Sequence, residues 1–148
     1  MRLFAVGLVF ATSFAPLAIA SDDTFSRLIA SRSLQCTFGP GSSADWKSGK
    51  PFLKDDKFEA VLQFDDIDLR GKKAHLIGNQ GASDVAALVT PAGITFIEES
   101  DFGNLSITTV FSDYAKGTRE FVVVHSRHMS LPGTPLPSQF HGTCKVWQ

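Results

Sequence analysis

Three of the chain's four histidines, His125, His128 and His141, fall between residues 122 and 144 in "VVVHSRHMSLPGTPLPSQFHGTC", together with Arg127 and one of the two cysteines. Imidazoles beside a guanidinium could hold a metal ion or act as acid and base in a hydrolase. Spacing decides between these chemistries. On a helix His125 and His128 would share a face, but the β-branched run "EFVVV" before them reads as a strand. Residues i and i+3 of a strand point to opposite faces, so the pair cannot chelate one ion without a bulge. His125 then shares a side with Phe121, Val123 and Arg127, whereas His128 goes with Val122, Val124 and Ser126. His75 and His141 could join either one across strands, but no zinc-ligand spacing links them, and neither a metal nor a cofactor is expected.

Other catalytic sets are equally incomplete, and no catalytic residue is assigned. Serines are plentiful without a G-x-S-x-G elbow to expose one as a nucleophile. The carboxylates of "DDIDL" (Asp65, Asp66, Asp68) lack the order of a calcium loop, and those of "EESD" (Glu98, Glu99, Asp101) read as a solvated turn. The glycines of "GNQGAS" precede a strand-like "DVAALVT", not the helix that a phosphate loop requires. Asn104-Leu105-Ser106 is a formal glycosylation sequon, meaningful only in a eukaryotic secretory pathway.

The elements that must position these residues are strands. "KFEAVLQF" sets Phe58, Ala60, Leu62 and Phe64 on one side, and "LSITTVF" repeats the alternation with Leu105, Ile107, Thr109 and Phe111. With "LQCTF", "KAHLIG", "VAALVT", "ITFIEE", "REFVVVHSRHM" and "QFHGTCKVW" the count reaches eight. Thr90-Pro91-Ala92-Gly93 joins two of them as a hairpin, Pro suiting the first central position and Gly a φ that few other residues accept. Short, turn-separated strands predict antiparallel neighbours in a barrel or a sandwich. A short helix comes first: Thr24 is placed to cap "FSRLIAS", which carries Phe25, Leu28 and Ile29 on one face. The longest irregular segment, residues 39–51, holds Trp46, which either folds back over the open end of the barrel or stands out as a contact residue.

Residues 1–20 read as an export signal: Arg2, an apolar run from Leu3 to Ile19, and small residues up to Ala20. Residues 21–148 then form a single domain with no membrane span, located in the periplasm or secreted. Without Arg2 the 14 basic residues fall to 13 against 15 acidic ones, so no basic excess supports nucleic-acid or anionic-membrane binding. In an oxidising compartment the lone cysteines, Cys36 and Cys144, are read as a disulfide. A bridge between the first and last strands brings the ends of the sheet together. That predicts an eight-stranded antiparallel up-and-down barrel, lipocalin-like in architecture only, with a β-sandwich as the alternative.

The order of "DDIDLRGKKAHLIGNQGASDV", "GITFIEESDFGNLSITTVF", "VVVHSRHMS" and "PLPSQFHGTC" resembles an uncharacterised family of small exported bacterial β-rich proteins of unknown function. The resemblance covers nearly the whole mature chain and implies bacterial origin and export, with no activity or ligand to carry over. The residues themselves point to a non-enzymatic, monomeric binding or interaction protein, its partner a small apolar ligand or an envelope protein. Trp46, Phe58, Leu62, Phe64, His125, Arg127, His128 and His141 are the candidate ligand-binding residues, with the segment from Leu131 to Gln139 at the mouth of the barrel. Two alternatives stand beside this reading: a small metal-binding protein or hydrolase centred on His125, His128 and His141, and an envelope-associated structural factor.

Overall fold

The computed structural model describes residues 21–79, 81–100, 103–131 and 134–147. One helix, α1 (Ser21–Ile29), precedes nine strands: β1 (Leu34–Lys47), β2 (Lys50–Lys57), β3 (Val61–Asp68), β4 (Lys73–Gly78), β5 (Gly81–Thr90), β6 (Gly93–Glu99), β7 (Leu105–Tyr114), β8 (Phe121–Leu131) and β9 (Thr134–Val146). From β3 to β9 each strand pairs antiparallel with the next, and β1 pairs with both β3 and β9. Those eight strands close the expected barrel. Among the described residues no helix is long and apolar enough to cross a membrane.

Closure rests on the two cysteines. Cys36 stands directly opposite Cys144 in the β1–β9 register, and the two are joined by a disulfide that is fully buried. Such a bridge is consistent with an oxidising, non-cytoplasmic compartment. Gly142, opposite Phe38, lets β1 and β9 approach closely, since a Cβ there would overlap the Thr37 carbonyl.

The period-2 alternation fills the interior. Leu34, Cys36, Leu62, Phe64, Ala74, Leu76, Val85, Ala87, Ile94, Phe96, Val110, Phe121, Val123 and Phe140 belong to one contiguous buried cluster. At its centre the rings of Phe64 and Phe96 stack with centroids 3.9 Å apart. An eight-stranded barrel is just wide enough for its own side chains, and this one is filled by them. Bulges reset the phase where alternation would fail. Asp66, with φ of 47°, takes up the extra residue that lets Ile67 follow Phe64 into the core. The β5–β6 hairpin turns through Pro91-Ala92 as expected, with Gly93 at φ 146°.

Three local expectations are corrected. Residues 39–51 are not an irregular loop: β1 runs on through Trp46, reverses at Ser48-Gly49, and returns as the ninth strand, β2. The positive φ of both Ser48 and Gly49, 50° and 75°, gives the reversal that a two-residue hairpin favours. Phe58-Glu59-Ala60 is not strand but a kink between β2 and β3, held to β1 by Phe58 N–H on the Gly39 carbonyl (3.1 Å) and Phe38 N–H on that of Ala60 (3.4 Å). Thr24 lies within α1 and not ahead of its first residue. On that helix Leu28 is fully buried, Phe25 half-buried and Ile29 exposed, so the apolar stripe is narrower than its spacing predicts.

Candidate functional site at the open rim

The barrel has two unlike ends. At one, α1 leads into β1, Leu28 enters the core, and Arg27 donates from Nη1 to the Tyr114 hydroxyl at 2.9 Å. The other end is where β1, β2, β8 and β9 run past the closed wall, and three of the candidate residues, Phe58, His125 and Arg127, meet there.

His125 faces inward from β8 and is almost completely buried. Its ring stacks on Phe58 at 5.1 Å with an interplanar angle of 8°, and Phe38 packs beside it at 5.3 Å. Nδ1 lies 2.8 Å from Thr108 Oγ1 on β7. Burial, and next the positive charge of Arg127, push the His125 pKa down from 6.5 to about 4, so the ring is neutral at pH 7.

Arg127, two residues on, faces the same way and closes over this aromatic floor. Its guanidinium carbon sits 5.0 Å from the Phe58 centroid and 4.8 Å from that of Phe140, and Nε donates to Ser138 Oγ at 3.1 Å. The group is half-buried, and among the described residues no carboxylate lies within 4 Å of it. Desolvation draws its pKa down, while the charge of Asp56 draws it up. On the opposite face of the same strands lies a cleft of about 280 Å³, lined mainly by Ser42, Ala44, Leu53, Ser126, His128, Pro137 and Gln139.

The histidines do not gather. His128 is exposed on the opposite face of β8, His141 is exposed across from Val124, and His75 pairs with Asp84 at 2.6 Å on the β4–β5 surface. Among the described residues no three His, Cys, Asp or Glu side chains are arranged to hold a metal ion. Leu62 and Phe64 are core residues, and Trp46 stands on the β1–β2 ribbon, 42% exposed. Phe58, His125 and Arg127 therefore converge, His128 lines the cleft on the opposite face, and the other four candidates lie elsewhere. Residues 132–133, within the predicted mouth segment, and Asp101 of the acidic turn lie outside the described residues.

Sequence reasoning missed Thr108, Ser43 and Ser138. On β7 the alternation is reversed from the expected one: Thr108 and Val110 face inward, whereas Leu105, Ile107, Thr109 and Phe111 are only half-buried, so Thr108 carried no usable signal. The serines carried none, because their importance comes from cross-strand register alone. A second depression, of about 360 Å³, lies near the start of β4 between Arg32, Asp66, Asp68, Lys73, His75 and Asp84. There the Gly71 N–H holds the Asp68 carboxyl below its ordinary range, which describes a solvated turn.

No protein-family model, curated protein or solved structure matches this chain.

Proposed function

We propose that the chain is a non-enzymatic binding protein of the periplasm or the extracellular space, and that it takes its ligand at the open rim of the barrel and not inside it. One observation carries this reading. Arg127 is half-buried on two aromatic rings, without a carboxylate within 4 Å among the described residues. A cation withdrawn from water in this way is costly unless something else contributes contacts to it. The packed interior argues in the same direction, since an apolar ligand inside would have to displace Leu62, Phe64 or Phe96 from a contiguous cluster. The export signal and the buried disulfide support the compartment.

Native mass spectrometry of the mature protein, isolated gently from the compartment in which it accumulates, tests this reading. A retained small-molecule adduct that disappears in Arg127→Gln supports it. A bare chain in every preparation, or an adduct indifferent to Arg127→Gln, overturns it. The exposed side chains of Trp46, Phe52 and Leu53 on the ribbon favour a second reading, an envelope protein as the partner. In that case an adduct of protein mass appears and depends on Trp46 and Leu53 instead.

A further inference from the structure

Two hairpins leave the barrel wall side by side at the open end, and the pairing between them stops short of their tips. β1 and β9 are paired as far as Ser43 opposite Ser138, while β1 runs on with β2 to Lys47 and β9 is held by β8 out to Thr134. The next step of the register would set Ala44 against Pro137, and a proline has no N–H to give to a ladder. Pro135 repeats the block two residues on, so the hairpins end as the two arms of a fork. The cleft of about 280 Å³ lies at this fork, for Ala44 and Leu53 of one arm and His128 and Pro137 of the other all line it.

Strand parity sorts the groups that face it. Ser126 stands opposite Gln139 and Gln139 opposite Ser42, so a hydroxyl, a primary amide and a second hydroxyl follow one another across β8, β9 and β1. Two residues nearer the tips, His128 stands opposite Pro137 and Ala44 opposite Leu53. None of the lining residues is acidic, and Arg127, the one strong cation among them, directs its guanidinium onto Phe58 and Phe140 on the other face. Gln139 Nε2 donates to Ser126 Oγ at 3.2 Å, and the side chains of Ser42 and His128 make no hydrogen bond among the described residues. Hydroxyl and amide groups both donate and accept, whereas Ala44, Leu53 and Pro137 offer the cleft only carbon.

From this arrangement we infer that the fork binds a neutral saccharide. A sugar ring carries hydroxyls that donate and accept around its edge and presents C–H bonds on its faces. The cleft is complementary on both counts, with Ser42, Ser126, Gln139 and His128 for the edge and Ala44, Leu53 and Pro137 for a face. An ionic ligand finds no opposite charge there to offset the loss of its hydration. A wholly apolar one would leave the polar row without partners. Trp46 stands on the same outer face two residues beyond Ala44, opposite Pro51 and 42% exposed, so a chain of sugars filling the fork can lay its next ring on the indole. A protein docked on the ribbon would use Trp46 and Leu53 but has no need of the row from Ser126 to Ser42, and that row favours the sugar. The site is separate from the Arg127 floor, which faces the other side of the same strands.

Amide and indole N–H spectra of the oxidised mature protein, titrated with maltotriose and with tri-N-acetylchitotriose, test the site, with glycerol at matched hydroxyl concentration as the control. Saturable shifts at the amides of Ser42, Ala44, Ser126 and Gln139 and at the Trp46 indole are expected from one or both trisaccharides and not from glycerol. The arm that saturates at the lower concentration shows whether N-acetyl groups are preferred. Gln139→Ala should weaken binding by about fivefold, the worth of one neutral hydrogen bond, and Leu53→Ser by about as much through lost apolar contact. Both side chains are exposed, Leu53 by 73%, so these variants should keep the wild-type melting temperature and separate lost binding from lost folding.

The inference falls if neither trisaccharide gives saturable shifts up to about 50 mM, a range covering any Kd of ~10 mM or tighter. It falls also if shifts saturate but Gln139→Ala and Leu53→Ser leave them unchanged, which would put the sugar elsewhere on the surface. An adduct of protein mass that depends on Trp46 and Leu53, without saccharide shifts, would overturn it in favour of a protein partner. An Arg127-dependent small adduct in native mass spectrometry without saccharide shifts would overturn it and leave the rim reading intact. Saccharide shifts at the fork beside an adduct indifferent to Arg127→Gln would sustain this site and overturn that reading.

Discussion

His125 Nδ1 and Thr108 Oγ1 lie 2.8 Å apart on facing strands β8 and β7, both buried at the same level of the barrel. A neutral imidazole satisfies this hydroxyl at low cost, whereas a protonated one would place a second positive charge beside Arg127 in a desolvated site. The folded pKa of about 4 against 6.5 is the consequence.

Stability should therefore depend on pH in a specific window. As pH falls below 6.5 the unfolded chain takes up a proton at His125 that the folded chain refuses until about pH 4. Stability contributed by the neutral ring is thus complete above 6.5 and lost on the way down to 4, a loss on the order of 3 kcal/mol. Thermal melts from pH 7 to pH 4 should show His125→Gln flatter than the wild type by up to about 10 °C, the difference isolating this group from the carboxylates. Parallel curves would show that His125 titrates normally.

The disulfide should be inert until the barrel opens. Both sulfurs are fully buried, and the bridge closes a loop 108 residues apart in sequence. On the chain-entropy account such a loop is worth about 4 to 5 kcal/mol. Alkylation followed by mass measurement should find no free thiol after reductant at 25 °C, and full reduction once denaturant is present. The double variant Cys36→Ala/Cys144→Ala should melt at least about 10 °C lower. Rapid reduction of the native protein would show that the two edges of the sheet part easily.

Gly142 should tolerate no side chain. An added methyl group meets the Thr37 backbone, which cannot swing away as a flexible side chain would. Gly142→Ala should cost about 2 kcal/mol or more by forcing β9 off β1. The site lies two residues from Cys144, so the variant should also form the bridge more slowly in oxidative refolding. Equal stability and equal oxidation rates would place the β1–β9 contact elsewhere.

Eight strands, the helix and the bridge were legible because each imposes a pattern: inward alternation, an apolar stripe, and two cysteines at opposite ends of the chain. The ribbon of β1 and β2 was not. Except for Ser43 and Ala44, its residues from Ser42 to Lys57 bury little on either face, so no period of 2 is written into "GSSADWKSGKPFLKDDK". Only Ser48-Gly49 hinted at a turn. The site was half legible for a related reason. The parity of β8 placed His125 and Arg127 together on the inner face, but the partners that complete the rim, Ser43, Ser138 and Phe140, lie on strands whose register depends on the bulge between Phe38 and Gly41. A one-residue shift inverts which face a side chain joins, and nothing in the local sequence announces that bulge.

Phe58 and Trp46, both candidate binding residues, should respond in opposite ways to truncation. Phe58 leaves the β2–β3 kink to lie against His125, Arg127, Phe38 and Phe140 at once. Phe58→Ala should cost about 1 to 3 kcal/mol, fall short of a fully buried ring, and open His125 to water. Its pKa should then rise from about 4 toward 6.5, which an NMR titration of the imidazole protons reads directly. Trp46 is 42% exposed near the tip of the ribbon, so Trp46→Ala should move the melting temperature by no more than about 2 °C. If Phe58→Ala left the His125 titration in place, desolvation would have to come from Phe38, Phe140 and the barrel wall alone. The rim would then owe its shape to the strands and not to the kink that lays one ring beneath both the imidazole and the guanidinium.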